Sequence, residues 1–194
     1  MKRILVMLLL AVASIAIANQ NASAQMMKGD SMNSMNPMVG GAPMLRTMDI
    51  IDNAVNSADH TTLVAAVKAA GLVETLKSRG PFTVFAPTNA AFDKLPAGTV
   101  GTLVKPENKG TLTRILTYHV LAGKFDSKAI AKRIKAGRGT ARFTTVSGDS
   151  LTARMNGNSL VLTDEKGGTS TVSIANVYQS NGVIHVVDTV LLPN

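Results

Sequence analysis

The chain has 194 residues, a formal net charge of +8, ten methionines, and neither cysteine nor tryptophan. The missing cysteine excludes disulfides and a lipid-modified N-terminal cysteine, so stability must come from a packed core, for which the length suffices. A basic chain invites a nucleic-acid reading, but only 4% of residues are aromatic and no RNP-like or helix-turn-helix pattern occurs, which argues against it.

Lys2 and Arg3 precede an apolar run over 4–18 and the small-residue stretch Ala22-Ser23-Ala24. These are the charged, apolar and cleavage regions of a secretory signal, read here as a signal peptide over 1–24 cut after Ala24. Losing Lys2 and Arg3 with it takes the formal charge from +8 to +6. The run is short for a membrane span and no second one follows, so the mature chain is expected to carry no transmembrane segment and to be secreted or periplasmic. Its counterpart is then more naturally an anionic glycan or an acidic cell surface than a nucleic acid.

Residues 25–47 are rich in Met, Asn, Ser and Gly, contain Pro37 and Pro43, and show no sustained periodicity, which predicts a flexible linker. Met32, Met35 and Met38 repeat every three residues. Thioethers are soft ligands suited to Cu(I); plain filler and sacrificial oxidant targets are the competing readings.

A single folded domain is expected over 48–194. Asp59 can cap a helix whose apolar positions Leu63, Val64, Val67 and Ala70 recur at helical spacing, with Gly71 ending it, and 72–78 continues as a second short helix. Pro81 introduces the apolar run 82–86, which reads as a strand buried on both faces. Pro87 stops it, Thr88 and Asn89 are both good N-caps, and Phe92 with Leu95 forms the stripe of the next helix. Pro106 suits the first turn of a helix reaching about Thr117, with Leu112, Ile115 and Leu116 inward. Another helix over 127–136 buries Ile130 and Ile134 and stops at Gly137. The period then becomes two. Strands are predicted over 142–146, 150–155, 159–163, 171–177 and 183–191, separated by Gly148, Asn156-Gly157, Gly167-Gly168 and Asn181-Gly182. Helices gathered before strands indicate an α+β fold with a largely antiparallel sheet. In the last strand His185 and Asp188 fall on opposite faces, which rules out a catalytic dyad within the strand.

Two segments are long and distinctive: Gly80-Pro81-Phe82-Thr83-Val84-Phe85-Ala86-Pro87-Thr88-Asn89-Ala90-Ala91-Phe92, and Asn181-Gly182-Val183-Ile184-His185-Val186-Val187-Asp188-Thr189-Val190-Leu191-Leu192-Pro193. With Tyr118-His119-Val120 between them they resemble the two signature boxes and the Tyr-His element of the fasciclin domain, in the order and spacing of one complete copy. The resemblance implies a single bacterial-type domain of helices packed on a bent β-sheet wedge. It also implies adhesion or scaffolding outside the cytoplasm rather than catalysis, with a cell-surface or matrix protein, or an anionic glycan, as partner. For Tyr118 and His119 it implies an adhesive role beside the structural one expected of a buried Tyr-His pair. Some animal members carry an Asp-Ile pair before the second box. Alignment on Asn181-Gly182 places Asn176 and Val177 there, so the anionic ligand that an integrin-bound metal wants is missing, and bacterial self-attachment or matrix binding is the better expectation.

Between 124 and 142 the cations Lys124, Lys128, Lys132, Arg133, Lys135, Arg138 and Arg142 face the single acid Asp126. Such a run is usually a solvated helix face, and it is also a candidate docking patch for acidic glycans or an outer leaflet. No nucleophile elbow, P-loop or His-Glu-x-x-His pair occurs, and His60, His119 and His185 lack ligand spacing. No cofactor and no catalytic residue are therefore expected. The leading reading is an exported adhesion domain; the alternative is a periplasmic binding protein whose Met-rich tether handles Cu(I) or oxidants.

Overall fold

A computed structural model describes residues 36–194; the expected signal peptide, Met32 and Met35 lie outside the described residues. A short hairpin, β1 (Met38–Val39) and β2 (Ala42–Pro43), leads into α1 (Ile50–Ala54), α2 (Thr61–Ala70) and α3 (Val73–Lys77). Next come β3 (Phe82–Pro87), α4 (Asn89–Asp93), α5 (Thr99–Leu103), α6 (Lys109–Tyr118), the short β4 (Val120–Ala122) and α7 (Ser127–Ala136). Five strands follow: β5 (Thr140–Thr144), β6 (Ser150–Asn156), β7 (Ser159–Thr163), β8 (Thr169–Gln179) and β9 (Gly182–Val187).

Strands β3 to β9 build a seven-stranded sheet in the order β4-β3-β9-β8-β7-β6-β5. Neighbours are antiparallel except β3 and β9, which run parallel from Phe82 beside Gly182 to Pro87 beside Val187. The fold is thus α+β with a largely antiparallel sheet, and the two distinctive segments of the sequence are strand partners. Both strands are buried on both faces, as their unbroken apolar runs require. Val84, Ala86, Ile184 and Val186 enter a core shared with α1, α2, α3 and α6, whereas Phe85 and Val187 enter a second core with Tyr118, Ile130, Phe143, Leu151 and Leu162. Strand β9 ends at Val187, short of the expected 191. The Asp188 N–H still bonds the Thr171 carbonyl at 3.1 Å, but its carboxylate accepts the Thr171 N–H at 2.8 Å and the Thr189 hydroxyl at 3.0 Å in place of a backbone partner.

Helix ends follow local chemistry with three departures. Thr88 caps α4 by accepting the Ala91 N–H, but Asn89 reaches to another helix, accepting the Thr62 N–H at 3.0 Å at the start of α2. Asp59 instead sits in a 3-10 turn ahead of α2 and makes no cap. At the end of α7 the left-handed residue is Arg138, with φ of 55°, rather than Gly137. The Gly139 N–H bonds the Ile134 carbonyl at 2.9 Å and the Arg138 N–H bonds the Lys135 carbonyl at 3.2 Å, a Schellman arrangement with arginine where glycine is favoured.

The described residues begin at Asn36, and the flexible linker expected up to residue 47 is corrected over 36–47, which packs on the domain. Val39 and Met44 are only 3% and 2% exposed and belong to the helical core. Gly40, at φ 57°, passes so close to Ser57 and Ala58 that a Cβ there would collide with both, and its carbonyl accepts the Ala58 N–H at 3.0 Å. Buried Asn53 exchanges two hydrogen bonds with the Leu45 backbone, at 2.8 and 2.7 Å, and donates to Gln179. Low complexity hid two core residues and a turn.

Asn181 ties the two halves together. Its Oδ1 accepts the Ile50 N–H at 3.1 Å at the start of α1, its Nδ2 donates to the Leu76 and Ser78 carbonyls at 2.8 and 2.9 Å, and its own carbonyl accepts the Phe82 N–H at 3.0 Å. Replacing Asn181 by Ala leaves buried backbone groups unpaired, each at about 1–3 kcal/mol. We expect Asn181→Ala to lose about 3 kcal/mol, read as a lower urea midpoint at unchanged slope; a midpoint equal to wild type would show that water replaces the amide.

Candidate functional site

The four residues expected to carry adhesive contacts are scaffold by position. Tyr118, the last residue of α6, has no exposed surface, and its hydroxyl donates to the Ser150 carbonyl at 2.7 Å. Burial pushes its phenol up to about 12. His119 follows it, 3% exposed, and bridges two backbone groups of fixed polarity. The Ile115 carbonyl, 2.8 Å from Nδ1, can only accept, and the Leu191 N–H, 3.0 Å from Nε2, can only donate. The ring is therefore neutral with its proton on Nδ1, and burial holds its pKa below the usual histidine value. His119 thereby staples the C-terminal segment to α6.

Val177 is 1% exposed and sits in the helical core. Asn176 occupies an irregularity of β8, where the register against β9 shifts between Ile174 and Val177, and has φ of 63°. Its side chain is spent on Ser127, accepting the N–H at 2.8 Å and donating to Oγ at 2.7 Å, which fixes the first turn of α7 on the sheet. Burial thus removes Tyr118, His119 and Val177 from any rigid contact surface, and hydrogen bonding commits the Asn176 amide.

His185 is the mirror of His119. Fully buried and stacked on Phe85, it donates from Nε2 to the Phe125 carbonyl at 2.9 Å and turns Nδ1 to the Asn176 N–H at 3.5 Å, so it holds the opposite tautomer. Asp188 has separate partners on β8, in keeping with the dyad's rejection.

Cations form the exposed part of the site. Asp126 caps α7 by accepting the Ala129 N–H at 2.8 Å, and that bond, with the Tyr178 hydroxyl, holds its carboxyl below the usual range. Down the helix, Lys128, Lys132, Lys135 and Arg138 are exposed. Arg133, expected among the free cations, packs its guanidinium 4.4 Å from the Phe125 ring centre and 5.3 Å from that of Phe143, so it closes the edge of the second core. Arg46 and Lys124 each lie 5.0 Å from the Tyr178 ring centre, extending positive charge beyond the helix. Arg46 and Tyr178 escaped the sequence reading because no local pattern links residues so far apart. Among the described residues, no group of three or more His, Cys, Asp or Glu could hold a metal ion.

The three buried histidines set an acid limit. Burial lowers the pKa of His60, His119 and His185, so the folded chain binds fewer protons than the unfolded chain below the ordinary histidine value of about 6.5. Their contribution is complete above that value and is lost as pH falls through the folded pKa. The thermal midpoint should be flat from pH 8 to 7 and drop between pH 6.5 and 5. A His119→Gln variant should show a lower midpoint at pH 7 and a shallower drop; parallel curves would exclude His119 as a source.

The fasciclin domain model matches residues 58–193. A protein of the cyanobacterium Synechocystis, sll1483, is 47% identical over 75% of this chain and 74% of its own length. The cell surface glycolipoprotein MPB83 of Mycobacterium bovis is 36% identical over 82% of this chain and 68% of its own. Among solved structures, the domain pair of the insect cell adhesion molecule fasciclin I superposes with a TM-score of 0.65 at 20% identity, over 75% of this chain and 51% of that one, a likeness of fold. No described helix is long and apolar enough to cross a membrane. The boxes pair as adjacent strands, the Tyr-His element closes the core between them, and the chain belongs to the fasciclin domain family.

Proposed function

We propose that this is an exported, non-enzymatic adhesion protein that meets an anionic glycan or an acidic protein at a cell surface or matrix through the cationic face of α7. One observation carries the reading. Lys128, Lys132, Lys135 and Arg138 are exposed, whereas the ion pairs among the described residues are made by Lys77, Lys94 and Arg114. Unpaired cations on a rigid helix, fixed to the sheet by Asp126 and Asn176, present a field that a flexible chain could not hold in place. The cell-surface description of one relative supports the location. Secretion or periplasmic residence after loss of a signal peptide over 1–24 belongs to the same proposal.

A second reading keeps the periplasmic Cu(I) or oxidant-handling tether. Met38 favours it, standing 58% exposed on the hairpin. Cu(I) titration of the protein with and without Met32→Leu, Met35→Leu and Met38→Leu tests it; unchanged stoichiometry would remove it.

Charge reversal at Lys132, Lys135 and Arg138 should weaken attachment to dextran sulfate at low salt by at least about tenfold and flatten its decline with ionic strength. Unaltered binding across the salt series would move the contact face elsewhere. Arg138→Gly separates charge from folding. It relieves a left-handed non-glycine residue, so stability should rise by about 1 kcal/mol while attachment weakens.

A further inference from the structure

Cations stand on both sides of one sheet layer. Ile130 and Ile134 of α7 pack with Ala141 and Phe143 of β5 and with Leu151 and Ala153 of β6. Lys128, Lys132 and Lys135 are exposed on the side of α7 turned away from those contacts. Strand alternation turns Arg142 and Arg154 to the other face of the sheet, where both are exposed.

Register makes this outer face regular. Arg142, Thr152, Thr163 and Thr169 stand side by side on β5, β6, β7 and β8, each about 4.8 Å from the next. In the adjoining row Thr140 lies opposite Arg154, so the two arginines are diagonal neighbours about 7 Å apart at the backbone. Among the described residues the ion pairs are made by Lys77, Lys94 and Arg114, which leaves both guanidiniums unpaired. No acid occurs in β5 to β8. In the adjoining turns Asp149 is held by Arg114, and Glu165 accepts the Ser150 N–H. Like charges set close together on neighbouring strands are destabilising. An oxoanion between them offsets that repulsion, because each guanidinium presents a fork of donors.

We propose that the outer face of β5 to β8 is a second binding site for an acidic polysaccharide, sulfated or uronic, so that one chain bridges two polyanion strands. The inference rests on the α7 reading for one of the two contacts and adds the other. Arg142 and Arg154 take the acid groups of the glycan, and the threonine row offers donors and acceptors to its hydroxyls. The outward residues of β5 to β7 include no exposed aromatic or large aliphatic side chain, the kind of anchor that an acidic protein partner would need. Two faces on opposite sides of a rigid layer give a single domain the means to hold two surfaces together.

The test mixes the purified full chain with dextran sulfate beads at low salt and reads attachment and bead agglutination separately, with sedimentation to establish that the protein is a monomer. Wild type should attach and agglutinate, and a large excess of protein should disperse the beads by saturating both partners of each bridge. Arg142→Glu with Arg154→Glu should abolish agglutination while weakening attachment by no more than about threefold, since α7 is intact. Arg142→Gln with Arg154→Gln gives the same comparison if the reversal disturbs folding, as judged by the thermal midpoint. Agglutination undiminished in these folded variants would overturn the proposal and leave the α7 reading standing. Attachment that survives charge reversal on α7 but is lost with Arg142 and Arg154 would overturn the α7 reading, and bridging with it, while supporting the outer face as a site. Poly-glutamate beads should be attached but not agglutinated; equal agglutination of both bead types would overturn the assignment to a glycan.

Discussion

The parallel pairing of β3 with β9 is the constraint on which the rest depends. Two apolar strands about a hundred residues apart in sequence lie side by side, each needing cover on both faces. One face receives α1, α2, α3 and α6; the other receives α7 and the curling antiparallel strands. Two cores therefore exist because one strand pair is apolar on both sides. The buried polar residues serve that pairing from its ends: Asn181 joins its start to α1 and α3, and His119 binds the segment beyond it to α6.

This arrangement explains why the residues that carry the resemblance to the family lie inside the fold rather than on its surface. A buried polar side chain whose hydrogen bonds are all made is intolerant of change, since each replacement strands a backbone group. Tyr118, His119, Asn181 and His185 have that character. Binding chemistry is free to vary where no such accounting holds, on exposed helix faces and loops. The cations of α7 lie there, positioned by a cap and an amide bridge that leave the charges unspent. Replacing Tyr118 or His119 acts first on the position of α6 and the C-terminal segment, which their hydrogen bonds hold.

Much of the fold was legible because its signals are local. Gly71 ended its helix in the left-handed conformation, Pro106 opened the turn before α6, and Ser159–Thr163 fell within its expected bounds. What escaped depends on distant partners. Nothing near Asn89 announces that its side chain caps α2, and nothing near Asp188 says that its carboxylate will take the Thr171 N–H. Val39 and Met44 were lost in a low-complexity stretch because two buried side chains carry no period. The basic run was legible as charge, but the pattern could not separate Arg133, held over two aromatic rings, from the cations that remain free.

The two cores differ in how closely they are finished, and the difference has a physical source. The second core is closed by aromatic rings with a guanidinium laid over them, and the sheet strands around it are locked in register. The helical core is covered by short helices of five and ten residues meeting the sheet from several directions, a geometry that leaves a gap unless a large side chain fills it. The side chains available there are mostly Val, Leu, Ile, Ala and Met, with Phe92 buried among them and Phe82 packed against them. The apolar pocket between the helices and the sheet is what remains of that mismatch.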